Sequence, residues 1–186
     1  MSGTGGPPGE DGALRAVADL GLAHEVLRHG HVGSLAEAAA ARGVEPAEVV
    51  KTIVVRRGDG DYLFVLVPGD RTIAWPKLRH LLGVQRLSMP DADTAFAVTG
   101  YRRGTITPFG ATTAWPVVAD ERLLGRRITL GAGAPGVAVA ADADSVVAAL
   151  HAQVADVTDS EVTDSDVTDS DVTDSDVTDA ESGGGA

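Results

Sequence analysis

The chain has 186 residues, 44% of them hydrophobic, with no cysteine and a formal net charge of -12. That length and apolar content suit one domain with a true core, and the missing cysteines exclude disulfides, thiolate nucleophiles and zinc-thiolate sites. The charge is uneven: residues 156–186 hold eleven acidic residues and no Lys or Arg, leaving 16 acidic against 15 basic residues in the first 155. A body so close to neutral carries no long phosphate-tracking surface, though a local basic face is compatible with it.

Residues 1–12 are polar and rich in Gly and Pro, lack the apolar stretch of a signal peptide, and are expected to be disordered. No run approaches the roughly 20 apolar residues that span a bilayer, so a soluble cytoplasmic protein without a membrane partner is expected. Leu14, Val17 and Leu20 recur at helical spacing before Gly21, and residues 23–29 suit a short strand. Ser34 with Glu37 three residues on opens an alanine-rich helix ending near Gly43, and Pro46 can start a further turn.

Residues 51–57 and 62–67 are β-rich runs flanking Gly58-Asp59-Gly60-Asp61, a hairpin signature. Alternation puts Lys51 on one face with Ile53 and Val55, so a cation heads an apolar row. The chain turns at 68–70, and short helices are predicted at 75–82 and 91–98, with 85–88 as a strand between them. Strands are predicted at 115–119, 127–130 and 137–140, and a helix at 141–154. This order is mixed, without a repeating strand-helix alternation. It predicts an α+β domain over 13–155, a mixed and mainly antiparallel sheet flanked by helices.

Residues 156–180 are five pentads: DVTDS, EVTDS, DVTDS, DVTDS and DVTDA. An odd repeat sends successive valines to alternate faces of a strand, and rotates them by about 140° per copy on a helix. Neither gathers an apolar face, so residues 156–186 are predicted to be a disordered acidic tail.

The common catalytic signatures are absent: there is no GxSxG, Walker A, GxGxxG after a strand, or HExxH. His24, His29 and His31 cluster without a second ligand pair, and Asp142 and Asp144 are more readily explained as helix-start residues. What remains is Lys51 and the stretch from Gly100 through Gly104 and Pro108 to Gly110. Three glycines and a proline in eleven residues make a shaped loop that can present backbone amides; a plain connecting turn, and for Lys51 a solvated strand end, are the bland alternatives.

Val50-Lys51-Thr52 after an alanine-rich helix, Thr99-Gly100-Tyr101, Gly104-x-x-x-Pro108, Phe109-Gly110 and Gly131-Ala132-Gly133-Ala134-Pro135-Gly136 occur in the order seen in one family. Together, over roughly 14–150, they resemble the YbaK family, related to the editing domain inserted in bacterial prolyl-tRNA synthetases. The resemblance implies a mixed sheet flanked by helices, no metal or organic cofactor, and an aminoacyl-tRNA deacylase acting in trans. The partner would be the acceptor end of a mischarged tRNA, with a synthetase as a further partner and DNA as none.

Carried onto this sequence, the resemblance makes Lys51, Gly104 and Pro108 the catalytic positions. Gly100, Thr105, Thr107, Phe109, Gly131 and Gly133 would border the substrate, and Arg56, Arg57, Arg102 and Arg103 would meet tRNA, with Arg71 and Lys77 as further cations. Ester hydrolysis passes through an oxyanion that amides near Gly104 could stabilise, while water or a substrate hydroxyl attacks. An ordinary lysine, with a pKa near about 10.4, is cationic at neutral pH and suits positioning better than proton abstraction. Thr105 stands where family members often have a second glycine, and Ala138 where some, including cysteine-selective ones, have an acid. Cysteine is therefore not assigned, and a small amino acid on a proline tRNA is the expected substrate. A noncatalytic module holding an aminoacyl-tRNA end or a related small ligand, or an interaction domain worked through the acidic tail, are the alternatives.

Overall fold

The computed structural model describes residues 8–161. Helix α1 (Gly9–Asp19) leads to strand β1 (His24–Arg28), and α2 (Leu35–Arg42) follows. Ser34 caps α2 by accepting the Glu37 amide, while the Glu37 carboxylate reaches back to Gly33 N, one residue outside the predicted capping box. Gly43 ends the helix in the left-handed region at φ 68°. A 3-10 turn at Pro46–Glu48 then feeds the hairpin of β2 (Val50–Gly58) and β3 (Asp61–Pro68).

Short elements complete the chain: β4 (Arg71–Ile73), α3 (Trp75–Leu82), α4 (Ala92–Thr99), β5 (Val117–Asp120), a 3-10 turn Glu121–Leu123, and β6 (Arg127–Gly131). After them come β7 (Val137–Asp142), α5 (Ala143–Ala149), β8 (Gln153–Ala155) and β9 (Thr158–Ser160). Among the described residues no helix is long and apolar enough to cross a membrane.

The strands form an antiparallel sheet β1-β7-β6, a mixed sheet β2-β3-β5-β8, and a two-stranded ribbon β4-β9. In the mixed sheet β2 and β3 are antiparallel, whereas β3-β5 and β5-β8 are parallel. Val50, Val54, Phe64 and Leu66 pack in one cluster with Ile128, Leu130, Val137 and Val139, so the two larger sheets share a core. Val55, Leu63, Val65 and Val67 project the other way, onto Leu78 of α3 and Val157. Strand β3 is thus buried on both faces and reads as a continuous apolar run. A parallel bridge between Val49 and Thr129 brings β6 to the outer edge of β2, where the two sheets begin to diverge.

The structure is the predicted α+β fold, with four corrections. The helix predicted over 141–154 stops at Ala149: His151 turns the chain at φ 50°, and β8 then pairs with Val118, Ala119 and Asp120. Parallel pairing on a buried strand here outweighs local helical preference. Residues 85–88 make only the bridge from Ser88 to Arg56, since Gln85, Arg86 and Ser88 stay exposed and have no face to bury. The disorder expected over 1–12 fails for residues 9–12, which form the first turn of α1; Ala13 and Val17, farther along that helix, are fully buried. The disorder expected from 156 fails for the first pentad, which docks as β9; the rest of that expectation, at 1–7 and 162–186, lies outside the described residues.

Candidate functional site

The two glycine turns singled out in the sequence are locked together. Gly133 N donates to Thr105 O at 3.1 Å, and Gly131 packs so that a Cβ there would sit 3.6 Å from Ile106 O. Gly133 is irreplaceable on steric grounds: it has φ 80°, and a Cβ would lie 2.5 Å from Gly9 O. Inside the first turn the buried Tyr101 hydroxyl donates to Phe109 O at 2.6 Å, tying its two ends. Burial pushes the Tyr101 phenol up to about 12.

This packing decides which predicted residues reach open space. Gly104, at φ 88°, is exposed, and among the described residues its amide meets no acceptor, whereas the Thr105 amide is taken by Arg102 O. Thr105 is buried and donates its hydroxyl to Arg102 O at 2.8 Å; Thr107 is fully buried and accepts the Phe109 amide at 3.4 Å. Phe109 is a core residue, and Gly100 is the left-handed cap of α4. The hydroxyl of Thr107 is therefore not part of an open wall, contrary to the sequence expectation.

A cavity of about 590 Å³ opens where the sheets fork. The edge of β2 from Val50 to Val54 forms one side; Arg103, Gly104, Ile106 and Gly131 form another. Met89, Pro90 and Asp91, just before α4, line it together with Ala92 and Ala95 of that helix and Arg42 of α2. Lys51 and Gly104 thus line the same space. Pro108 does not: with Phe109 and Gly110 it lines a separate cavity of about 770 Å³.

Three cations, Arg42, Lys51 and Arg103, border the cavity against one carboxylate, Asp91. The Lys51 ammonium, partly buried, donates to the main-chain carbonyl of Arg71. The Arg71 guanidinium is in turn held by Thr158 Oγ1 at 2.6 Å, Thr158 O at 3.2 Å and Ser160 Oγ at 3.3 Å. Asp91 caps α4, and the Thr94 amide it accepts at 2.7 Å holds its carboxyl below the usual range, so it stays ionised.

Several lining residues escaped the sequence reading, Arg42, Thr52, Met89 and Asp91 among them. Arg42, in the last turn of α2, donates to His29 Nε2 at 3.3 Å and Thr129 Oγ1 at 3.2 Å, has no carboxylate partner among the described residues, and is pushed below its ordinary pKa by desolvation. Thr52 Oγ1 is buried without a hydrogen-bond partner among the described residues. Adjacency to Lys51 was the available signal for Thr52; an arginine closing an alanine-rich helix gives none.

The predicted tRNA cations divide. Arg103 borders the cavity, and Arg102 lies over the Phe96 ring at 5.0 Å. Arg56 pairs with Asp59 and Arg57 with Asp61, beside a different cleft. Lys77 is taken by Asp156 and Asp159 of the first pentad. Among the described residues no three His, Asp or Glu side chains converge as a metal site.

A family model described as the aminoacyl-tRNA editing domain matches residues 29–148. The proline–tRNA ligase of Acidithiobacillus ferrooxidans (strain ATCC 53993) is 33% identical over 110 residues, which are 59% of this chain and 19% of the ligase. That of Geobacter sp. (strain M21) is 37% identical over 92 residues, 50% of this chain and 16% of the ligase. The chain thus spans less than a fifth of the length of these ligases. A crystal structure described as a candidate trans-editing enzyme for prolyl tRNA synthetase superposes with a TM-score of 0.76 at 27% identity, covering 82% of this chain and 98% of that one.

Proposed function

The chain belongs to the aminoacyl-tRNA editing domain family, and from that premise we propose that it hydrolyses the ester joining a wrong, small amino acid to the end of a proline tRNA, acting in the cytoplasm. The observation that carries this reading is the cavity shared by Lys51 and Gly104, walled by backbone and bordered by three cations. Its volume falls in the range of about 300–1,000 Å³ usual for small-ligand sites and suits a terminal aminoacyl-adenosine.

In the proposed reaction, water positioned by the neighbouring ribose hydroxyl adds to the ester carbonyl, and the carbon-oxygen bond to the ribose then breaks. A proton passes from the attacking oxygen to the departing ribose oxygen; with water as nucleophile the products are a free amino acid and an intact tRNA end. The unpartnered amide of Gly104 is the donor available for the developing oxyanion. Lys51, anchored on the Arg71 carbonyl, supplies fixed positive charge beside the carbonyl group or terminal nucleotide. Arg42 and Arg103 suit the terminal phosphates, and Asp91 the α-ammonium of the aminoacyl group. Met89, 59% exposed at the rim, offers an apolar surface to the terminal base.

Deacylation of a panel of mischarged tRNAs tests the proposal. Lys51→Ala should slow cleavage of the preferred ester by about 100-fold, the scale of losing one electrostatic group from a preorganised site. Binding of the mischarged tRNA without faster cleavage than by the Lys51→Ala protein would make the domain a noncatalytic holder of the tRNA end.

A further inference from the structure

The first tail pentad sits in a fitted groove. Val157 is fully buried among Val55, Leu63, Val65, Val67, Leu78 and Val118. Thr158 donates its hydroxyl to the buried Asp120 carboxylate at 2.9 Å, and the same carboxylate accepts Val157 N at 3.1 Å. Asp156 pairs with Arg122 at 2.8 Å and Lys77 at 3.1 Å, Asp159 pairs with Lys77 at 3.0 Å, and Ser160 receives Arg71. Backbone pairing sets the register, with Arg71, Thr72 and Ile73 opposite Ser160, Asp159 and Thr158. All five residues of the pentad are therefore read: two acids by cations, a valine by an apolar hole, a threonine by a buried acceptor and a serine by an arginine.

Residues 166–170 and 171–175 repeat that pentad letter for letter, and 161–165 differs only by Glu161 for aspartate. Contacts that depend on residue identity are the same for each identical copy. What differs is the length of chain left over between Ala155 and the docked copy: ten residues for the copy at 166–170, fifteen for the copy at 171–175. Lengthening that loop from ten to fifteen residues lowers the population only about twofold.

We propose that the groove between β4, α3 and the Glu121–Leu123 turn is a recognition site for Asp-Val-Thr-Asp-Ser, and that the copies at 166–175 of the same chain are its interchangeable occupants. The tail is then a set of spare ligands for one receptor built into the domain. When the first copy is lost, a later copy closes the β4 edge in its place. The charge match supports this occupant: the groove presents Arg71, Lys77 and Arg122, and every copy brings acids at its first and fourth positions.

The test uses the full chain throughout. Val157→Asp places a charge in the apolar hole, yet its thermal midpoint should stay within about 2 °C of the parent, while the same change in all five pentads should lower it by more than about 5 °C. An equal fall for the single and fivefold variants overturns the proposal. Because the chain has no cysteine, register can also be read directly, which keeps the question open to refutation if the fivefold variant does not fold. In the Val157→Asp background, Thr72→Cys with Asp169→Cys should form an intrachain disulfide in clear excess over Thr72→Cys with Val167→Cys, since a docked third copy sets position 169 opposite 72 and buries 167. Equal yields, the mark of a tail that meets β4 at random, count against docking. Disulfides formed only between chains would make a second copy's tail the occupant and overturn the assignment.

Discussion

At the scale of single residues, Tyr101 holds the first glycine turn closed. Tyr101→Phe removes the donor to the buried Phe109 carbonyl and should cost about 1–3 kcal/mol in urea unfolding, the usual cost of stranding a buried acceptor. The same phenol predicts alkaline behaviour. Its pKa is raised from 10.0 to about 12 in the folded chain, so the unfolded chain ionises first; the contribution to stability is whole below pH 10 and lost as pH rises to about 12. The Tyr101→Phe protein should lack that component of the alkaline transition. Thr52 predicts the opposite pairing of effects. Thr52→Val removes an orphaned hydroxyl and should hold or raise the thermal midpoint, while kcat/KM for the edited ester falls about tenfold if that hydroxyl turns to the substrate. Lys51 and Gly104 were legible in the sequence because a lysine heading an apolar row and a glycine in a broken loop are local signals. Pro108, Thr105 and Thr107 misled because sequence spacing cannot tell which groups of a loop turn inward. Those hydroxyls serve their own backbone, and Pro108 faces another cavity.

Among elements, β9 has the most unusual basis. Arg122 and Lys77 hold the Asp156 carboxyl down to about 2, from 3.8. A depressed acid stabilises above its unfolded value, so docking of the first pentad is fully supported above pH 3.8 and loses this support as pH falls through about 2. Chemical shifts of Val157 followed by NMR between pH 5 and 2 should move toward random-coil values before those of Leu66 in the main core; simultaneous loss would show that docking does not depend on this pair. The hairpin of β2 and β3, the capped α2 and the α3 and α4 helices were legible from turn chemistry and apolar period. Strands β4, β8 and β9 were not. Each is three residues long and exists because a distant partner strand lies beside it, which no window of sequence can display. The valine of one pentad needs no neighbouring valine to make a face when Leu63, Val65 and Leu78 already supply the hole.

Across the whole molecule, pairing with carboxylates withdraws part of the cationic surface from any tRNA contact. Six of the twelve lysines and arginines outside the cavity pair with carboxylates among the described residues: Arg28, Arg56, Arg57, Lys77, Arg122 and Arg127. If contact is confined to Arg42, Arg102 and Arg103, three phosphates are neutralised, and the logarithm of the tRNA association constant should fall with the logarithm of salt with a slope of about -2. Filter binding between 50 and 200 mM salt would then show a loss of about 16-fold; a slope of about -5 or steeper would require a phosphate-tracking surface elsewhere. The α+β class was legible from element order, but the cavity was not, because it lies in the fork between two sheets whose meeting point, Val49 beside Thr129, joins residues eighty positions apart. The acceptor of the Lys51 ammonium has a consequence for genetics. It is a peptide carbonyl, present whatever side chain occupies position 71, so Arg71→Ala leaves the oxygen in place. A substitution scan would score that acceptor as silent, and its contribution surfaces only when the backbone of β4 itself shifts, as replacing the Arg71–Thr72 peptide link by an ester or a proline nearby would make it do.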